Sequence, residues 1–441
     1  MTAFNHHRLT NAEIQLDIHN LRRGYYSDKY FVNILNILQG LQAEGYTFQG
    51  KAPRVSAAAG YPVGDVIVEA QIFNRRAPYA LIAGVDVALA MIRHGAGYFD
   101  DETFVEGWRD LEVIAVEDGD ITRYGGNPND VQTVIEIRGK YRDFTLLETP
   151  ILGALTRASR IATNVYDVLQ AANGKNVLFF PARFDLPSVQ SLDGYAYWLA
   201  VQRHNQESGY NLPPLVSTDA QGAWWGGRGG GTVPHAVIAC FFADTAEAML
   251  AFGRHIPVEV PRIVLADFNN DVVRDSLATL DAFWQQYIQA KDDTERKRWT
   301  LNGVRLDTSG NMLDESLTDI TDKGVSPALV RTVRRALDNA WTRWNVPARL
   351  EEDAKAYCQN VQIVVSGGFN RDKIERFERD QVPVDSYGVG STFLMNDGKT
   401  NTDFTMDVVR VLVDGQWVDM PKVGRAPCDN ADLEPIDLSI F

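Results

Sequence analysis

Cysteine is scarce: Cys240, Cys358 and Cys428 are the only three in 441 residues. They lie far apart and without metal-ligand spacing, which excludes a disulfide scaffold or a zinc knuckle and suits a reducing cytoplasm. Long apolar runs are also missing, and the opening "MTAFNHHRLTNAEIQ" has no apolar core of the signal-peptide type. Neither a membrane span nor secretion is expected. Basic charge is in deficit as well. A net charge of −15 and a pI near 5.0 argue against nucleic acid or an anionic membrane as the main partner. An anionic substrate then needs a local cluster of arginines working against the overall field. There is no low-complexity segment and no internal repeat. What remains is the composition of an ordinary globular protein, long enough for two or three domains and expected in the cytoplasm.

The first block, residues 1–140, mixes helices with alternating strands. "SDKYFVNILNILQGLQAEG" places Phe31, Ile34, Leu35 and Leu38 at helical spacing, with Ser27 as the N-cap and Gly45 just past the end. "DVIVEAQIF" alternates Val66, Val68, Ala70 and Ile72, the pattern of a half-buried strand. "YALIAGVDVALAMIRHGAG" reads as a buried helix stopped by glycine. From residue 141 to 398 the texture changes to short apolar runs, each ending in polar and glycine residues, with helical stretches between several of them. One of those helices starts at Ser326-Pro327. Repeated strand, loop and helix units predict a parallel sheet or an α/β barrel. The tail, residues 399–441, carries a hairpin signal at Asp414-Gly415 and resembles the first block, so it is expected to fold back onto it.

In α/β barrels the working residues sit where strands end. Those ends supply Phe180 and Arg183 from "LFFPARFD", Asp219 from "STDAQG", His235 from "GTVPHAVI", and Arg305 and Asp307 from "VRLDTSG". Two late ends add Ser366, Gly367 and Gly368 from "VVSGGFN", and Gly388, Gly390 and Ser391 from "SYGVGST". Glycine turns bring backbone N–H groups close to phosphate oxygens, and late barrel strands are where phosphate sites recur. Arg305 and Asp307 alternate along one strand and share a face. They form either a plain strand-end ion pair or a grip on a diphosphate and ribose hydroxyls. Phe180 beside Arg183 suits a planar, acidic aromatic ring, unless Phe180 is core and Arg183 a surface charge. The glycine-rich "GGRGGG" ahead of His235 reads as a loop able to open and close.

Seven segments in order resemble the nicotinate and nicotinamide phosphoribosyltransferases of the type II phosphoribosyltransferase fold. They are "GYYSDKYF", "ETPILG…ASRIATN", "FPAR", "GTVPHAVI", "VRLDTSG", "VVSGGFN" and "DSYGVGS", spanning residues 24–391. The resemblance implies an incomplete α/β barrel with a flanking α+β domain built from both chain ends. It implies transfer of phosphoribose from phosphoribosyl pyrophosphate to nicotinate, with Mg²⁺ and ATP, through a phosphohistidine at His235. A helix N-terminus disfavours an imidazolium and its free amides favour an attached phosphate. The resemblance further implies Tyr26 stacking on the pyridine from a neighbouring subunit of a homodimer, with Phe180 on the opposite face and Arg183 at the ring substituent. Asp219 falls where nicotinamide enzymes carry an aspartate, so nicotinamide is the alternative substrate. A non-catalytic sensor of pyridine nucleotides is the alternative of another class. It would require loss of His235 or of the Arg305/Asp307 pair, and both are present. A quinolinate enzyme shares the fold but would need more basic residues for its second carboxylate. No structural metal is expected.

Overall fold

A computed structural model of the chain describes residues 7–55 and 58–441. Its two large sheets follow from two kinds of sequence pattern. The first is antiparallel and six-stranded, in the order Gln416–Asp419, Phe404–Val413, Ile67–Asn74, Thr133–Lys140, Glu112–Ala115, Glu434–Pro435. Three of these strands come from the C-terminal tail, so both chain ends build this domain. Asp414 and Gly415, with φ of 50° and 75°, form the tight turn that pairs Val413 with Gln416.

The alternation in "DVIVEAQIF" is overridden. Strand Ile67–Asn74 lies between two others and is buried on both faces from Val68 onward. The polar residues of the opposite face, Glu69 and Gln71, are answered from distant segments. Glu69 meets Arg138 at 2.9 Å and Arg410 at 2.6 Å, while Gln71 donates to Glu136 at 3.0 Å and accepts from Cys428 N at 2.9 Å. Buried polar groups persist only when paired in this way. Two further readings change. The run from Tyr79 divides into a short strand, Tyr79–Leu81, and a helix, Val85–Gly95. Helix Lys29–Ala43 begins after Asp28 rather than Ser27, because the Ser27 hydroxyl donates to Leu146 O and is not free to cap. Ser326 does cap helix Pro327–Asp338, accepting from Leu329 N at 3.2 Å.

The second sheet is parallel and curled into part of a barrel, in the order Ile263–Leu265, Gly303–Leu306, Gln362–Val365, Ser386–Val389, Asn176–Phe179, Leu215–Val216. Its two edges, Leu215–Val216 and Ile263–Leu265, do not pair with each other, so the barrel is incomplete. The connection between those edges holds the glycine-rich segment and His235. One 24-residue helix, Glu148–Ala171, joins the two domains. Its Ile151 and Leu155 belong to the core over the antiparallel sheet, while Ala158, Ile161 and Val165 belong to the barrel core. No helix among the described residues is long and apolar enough to cross a membrane.

Candidate active site

The carboxyl ends of the parallel strands converge on a cavity of about 470 Å³. Each wall follows from local sequence. On Gly303–Leu306, Val304 and Leu306 are fully buried, so the residues between and after them, Arg305 and Asp307, turn the other way and line the cavity. Arg305 Nη2 lies 3.4 Å from Asp307 Oδ2, and the guanidinium sits 5.9 Å from the centre of the Phe180 ring. Its Nε is buried with no hydrogen-bond partner among the described residues. A guanidinium whose buried Nε lacks a partner is poised to take an anion.

Two turns form the floor. Gly367 and Gly368 take φ of 83° and 69°, the left-handed region that favours glycine. Their N–H groups, and that of Gly390, donate to no described residue. Ser366 Oγ donates to Asp307 Oδ1 at 2.8 Å and so fixes the carboxylate at the strand end. Ser391 opens a short helical turn at the same mouth. Gly388 serves a different purpose: a Cβ there would stand 2.7 Å from Phe180 Cε2. The missing side chain makes room for the Phe180 ring, whose own backbone is held by its N–H on Val389 O at 2.8 Å.

Arg183 also lines the cavity, its guanidinium 5.3 Å from the centre of the Phe184 ring. His235 is the first residue of helix His235–Cys240, about half exposed, and its Nε2 lies 3.0 Å from Asp267 Oδ1. Ile238 is the buried anchor of that helix, while Ala236, Ala239 and Cys240 are exposed. Burial pushes the Asp267 carboxyl up, the bond to His235 pulls it back, and the charge of Asp307 adds repulsion. Asp267 follows strand Ile263–Leu265, and its position just past an apolar run was the signal that could have placed it here.

Not every candidate arrives. His235, Arg305, Asp307, Phe180, Arg183, Ser366, Gly367, Gly368, Gly388, Gly390 and Ser391 all line this cavity. Asp219 does not. It opens helix Asp219–Gly222, and its Oδ1 accepts from Gly229 N at 2.9 Å, tying down the glycine-rich segment. Ser217, two residues earlier, faces the cavity instead. Tyr26 is exposed on the other domain, its hydroxyl donating to Asp17 at 2.7 Å. Among the described residues no group of three or more His, Cys, Asp or Glu side chains is placed to hold a metal ion.

The arrangement combines two free-amide turns, a half-satisfied arginine, a fixed carboxylate and an aromatic ring with a second arginine. It can grip a phosphate, a diphosphate and a planar acid in one space. Residues 58–159 match the family model of the quinolinate phosphoribosyl transferase N-terminal domain. Among solved structures the chain is similar to nicotinate-nucleotide pyrophosphorylase from Pyrococcus furiosus, at 23% identity and a TM-score of 0.63, over 92% of this chain and 79% of that one. It is also similar to human nicotinic acid phosphoribosyltransferase, at 17% identity and a TM-score of 0.58, over 90% and 76% of the two chains. Those two likenesses are of fold. The sequence match thus covers residues 58–159, and the fold of the two solved structures is shared over nine-tenths of the chain.

Proposed function

We propose that this protein is a type II phosphoribosyltransferase that acts on nicotinate and couples the transfer to ATP through His235. The observation that carries the reading is the His235–Asp267 pair at 3.0 Å, on the same cavity as Arg183, Phe180 and the two phosphate turns. When Nε2–H is donated to Asp267, Nδ1 keeps its lone pair. That lone pair attacks the terminal phosphorus of ATP, the bond to the ADP oxygen breaks, and the phosphoryl group rests on the ring. In the transfer itself the pyridine nitrogen bonds to the anomeric carbon of phosphoribosyl pyrophosphate as the bond to pyrophosphate breaks. Water then releases phosphate from His235. Arg305 answers charge growing on the leaving diphosphate, and its unpartnered Nε is free for that bond. The free N–H groups of Gly367, Gly368 and Gly390 take the 5′-phosphate, and Asp307, pinned by Ser366, takes ribose hydroxyls.

Mg²⁺ fits this mouth as a guest of the substrate. Asp307 offers hard oxygen ligands at the cavity, but too few for an all-protein cage, so phosphate oxygens and water would complete the shell. When bound, the ion neutralises diphosphate charge.

Two observations favour nicotinate over its rivals. Among the described residues, Arg183 and Arg305 are the only Lys or Arg side chains lining the cavity. With Arg305 committed to the diphosphate, one cation remains for one ring carboxylate, and the second carboxylate of quinolinate has none. The carboxylate of Asp219, the acceptor a carboxamide would use, is spent on Gly229 N. The Tyr26 face is exposed, as is the Phe184–Leu186 edge of the mouth. A homodimer bringing the one to the other would complete the ring-stacking pair with Phe180. Product formation from nicotinate, nicotinamide and quinolinate, each with phosphoribosyl pyrophosphate and with or without ATP, tests the assignment. Faster turnover of either rival overturns it, and binding of phosphoribosyl pyrophosphate with no turnover supports a sensor.

A further inference from the structure

His235 stands at the start of a short helix, His235–Cys240, whose one buried residue is Ile238. The glycine-rich segment ahead of it does little by itself to aim a helix. Behind it the chain turns through two consecutive left-handed residues that are not glycine, Phe242 at φ 52° and Ala243 at φ 70°. Such backbone is disfavoured wherever a Cβ is present and persists only where the surroundings hold it. The Phe242 side chain does not hold it, being 96% exposed. Phe242 N donates to Ala239 O and Ala243 N to Ile238 O, both at 3.1 Å, which ties the turn to its own helix. The tie to the barrel comes from Asn269, whose Nδ2 donates to Ala243 O at 3.0 Å.

Asn269 is itself anchored. Its Nδ2 also donates to Asp275 Oδ2 at 2.8 Å, and that buried carboxylate accepts from Thr245 Oγ1 at 3.0 Å and Arg274 Nε at 3.1 Å. Asn269 and Asp267 belong to one tight turn, closed by Asn270 N on Asp267 O at 3.0 Å. Asn270 fixes that turn to the next segment. Its Nδ2 donates to Leu313 O at 2.8 Å, and its carbonyl accepts from Glu315 N at 2.9 Å. One turn therefore grips the histidine helix twice. Asp267 meets His235 Nε2 at 3.0 Å at the helix start, and Asn269 meets Ala243 O just past its end.

We propose that Asn269 is a positioning residue for His235: by holding the Ala243 turn it fixes the helix, so that Nε2 stays on Asp267 and Nδ1 keeps its lone pair. Without the amide the turn is free to leave the left-handed region, the helix end shifts, and the ring loses its hold on Asp267. The neutral imidazole then divides between its two tautomers. Only one of them leaves Nδ1 free to attack. The placement of the ring stands apart from the proposed reaction, whereas its effect on phosphoryl transfer from ATP rests on that reading.

The test compares Asn269→Ala with the parent, both as full chains. NMR of nitrogen-labelled histidine reads the tautomer, the His235 signals being those lost in His235→Ala. The share of Nε2–H is expected to fall in Asn269→Ala, and phosphoenzyme formation from ATP to slow about tenfold. Affinity for phosphoribosyl pyrophosphate should stay unchanged. Ala243→Gly removes the cost of the left-handed turn without touching Asn269 or His235. Added to Asn269→Ala it should restore most of the lost rate, a rescue that a general loss of packing would not give. An unchanged tautomer and rate in Asn269→Ala overturn the proposal, as does a loss of rate that Ala243→Gly does not repair. A parent that forms no phosphoenzyme, yet shifts its His235 tautomer in Asn269→Ala, supports the positioning role and removes the ATP coupling instead. Circular dichroism shows whether Asn269→Ala folds. If it does not, Asn269→Ser, whose single hydroxyl proton cannot serve both acceptors, decides on the same two readouts.

Discussion

Glu69, at the centre of the antiparallel sheet, has no exposed surface and is held by two guanidiniums, Arg138 at 2.9 Å and Arg410 at 2.6 Å. Asp307, at the end of a parallel strand, meets one guanidinium at 3.4 Å and shares itself with Ser366, while Arg305 leaves a buried Nε without a partner. Both are arginine–carboxylate pairs on sheets of one molecule. The difference lies in how completely each is satisfied. Where charges close on each other the pair cross-links strands, and where they stay open to a cavity it has capacity for a ligand.

The largest effect should separate the mouth from the scaffold outright. His235→Ala is expected to abolish phosphoenzyme and ATP hydrolysis while leaving the thermal midpoint in place, because the ring is half exposed and anchors nothing. Full ATP coupling in this variant, measured by ADP release per mononucleotide formed, would remove the role given to His235. Next, Arg305→Ala should lower kcat/KM by about 10²–10³-fold. It should cost little stability, since the side chain makes one long ion pair. Glu69→Ala should do the reverse. Removing it takes one carboxylate from each of two guanidiniums, which keep Glu136 and Asp419, and loses the buried hydrogen bonds, a cost of about 1–3 kcal/mol, with KM for each substrate unchanged. If denaturant melts rank these two variants the other way, the contrast between closed and open pairs fails. A subtler probe is Gly388→Ala, whose Cβ would stand 2.7 Å from Phe180 Cε2. Displacing that ring should raise KM for the pyridine substrate about tenfold with the phosphoribosyl pyrophosphate KM unchanged.

The two sheets were not equally legible in the sequence. Strand-end residues such as Phe180, Arg305 and Gly367 could be placed because a parallel strand, its exit and its turn are consecutive in the chain. Strand Ile67–Asn74 could not, because what buries Glu69 and Gln71 comes from Arg138, Arg410 and Cys428. Pairing across more than 300 positions leaves no local periodicity. Asp219 shows the same limit at close range. Its residue type fitted a substrate contact, and only the backbone of Gly229 explains why it is not at the cavity. Asp267 was visible as a polar exit from an apolar run, but its pairing with His235 joins two separate strand exits.

A third kind of charge gives the smallest effect and sharpens the contrast. Glu148 begins the helix that joins the domains and, among the described residues, has neither a guanidinium against it nor a place on the candidate active-site cavity. Burial first, then Asp407 and Asp28, push its carboxyl up to about 8. Between its ordinary value near 4.3 and about 8, the folded chain holds a proton that the unfolded chain has released, so this group's contribution to stability falls as pH rises through that window. Glu148→Gln keeps the shape and removes the titration. Its thermal midpoint should come closest to that of the parent at pH 4 and exceed it by a few degrees at pH 9 (about 1 kcal/mol is enough for that). A buried carboxyl with no cation beside it keeps its proton. Equal midpoints at both pH values would mean that Glu148 is ionised in the fold, and that some cation answers it.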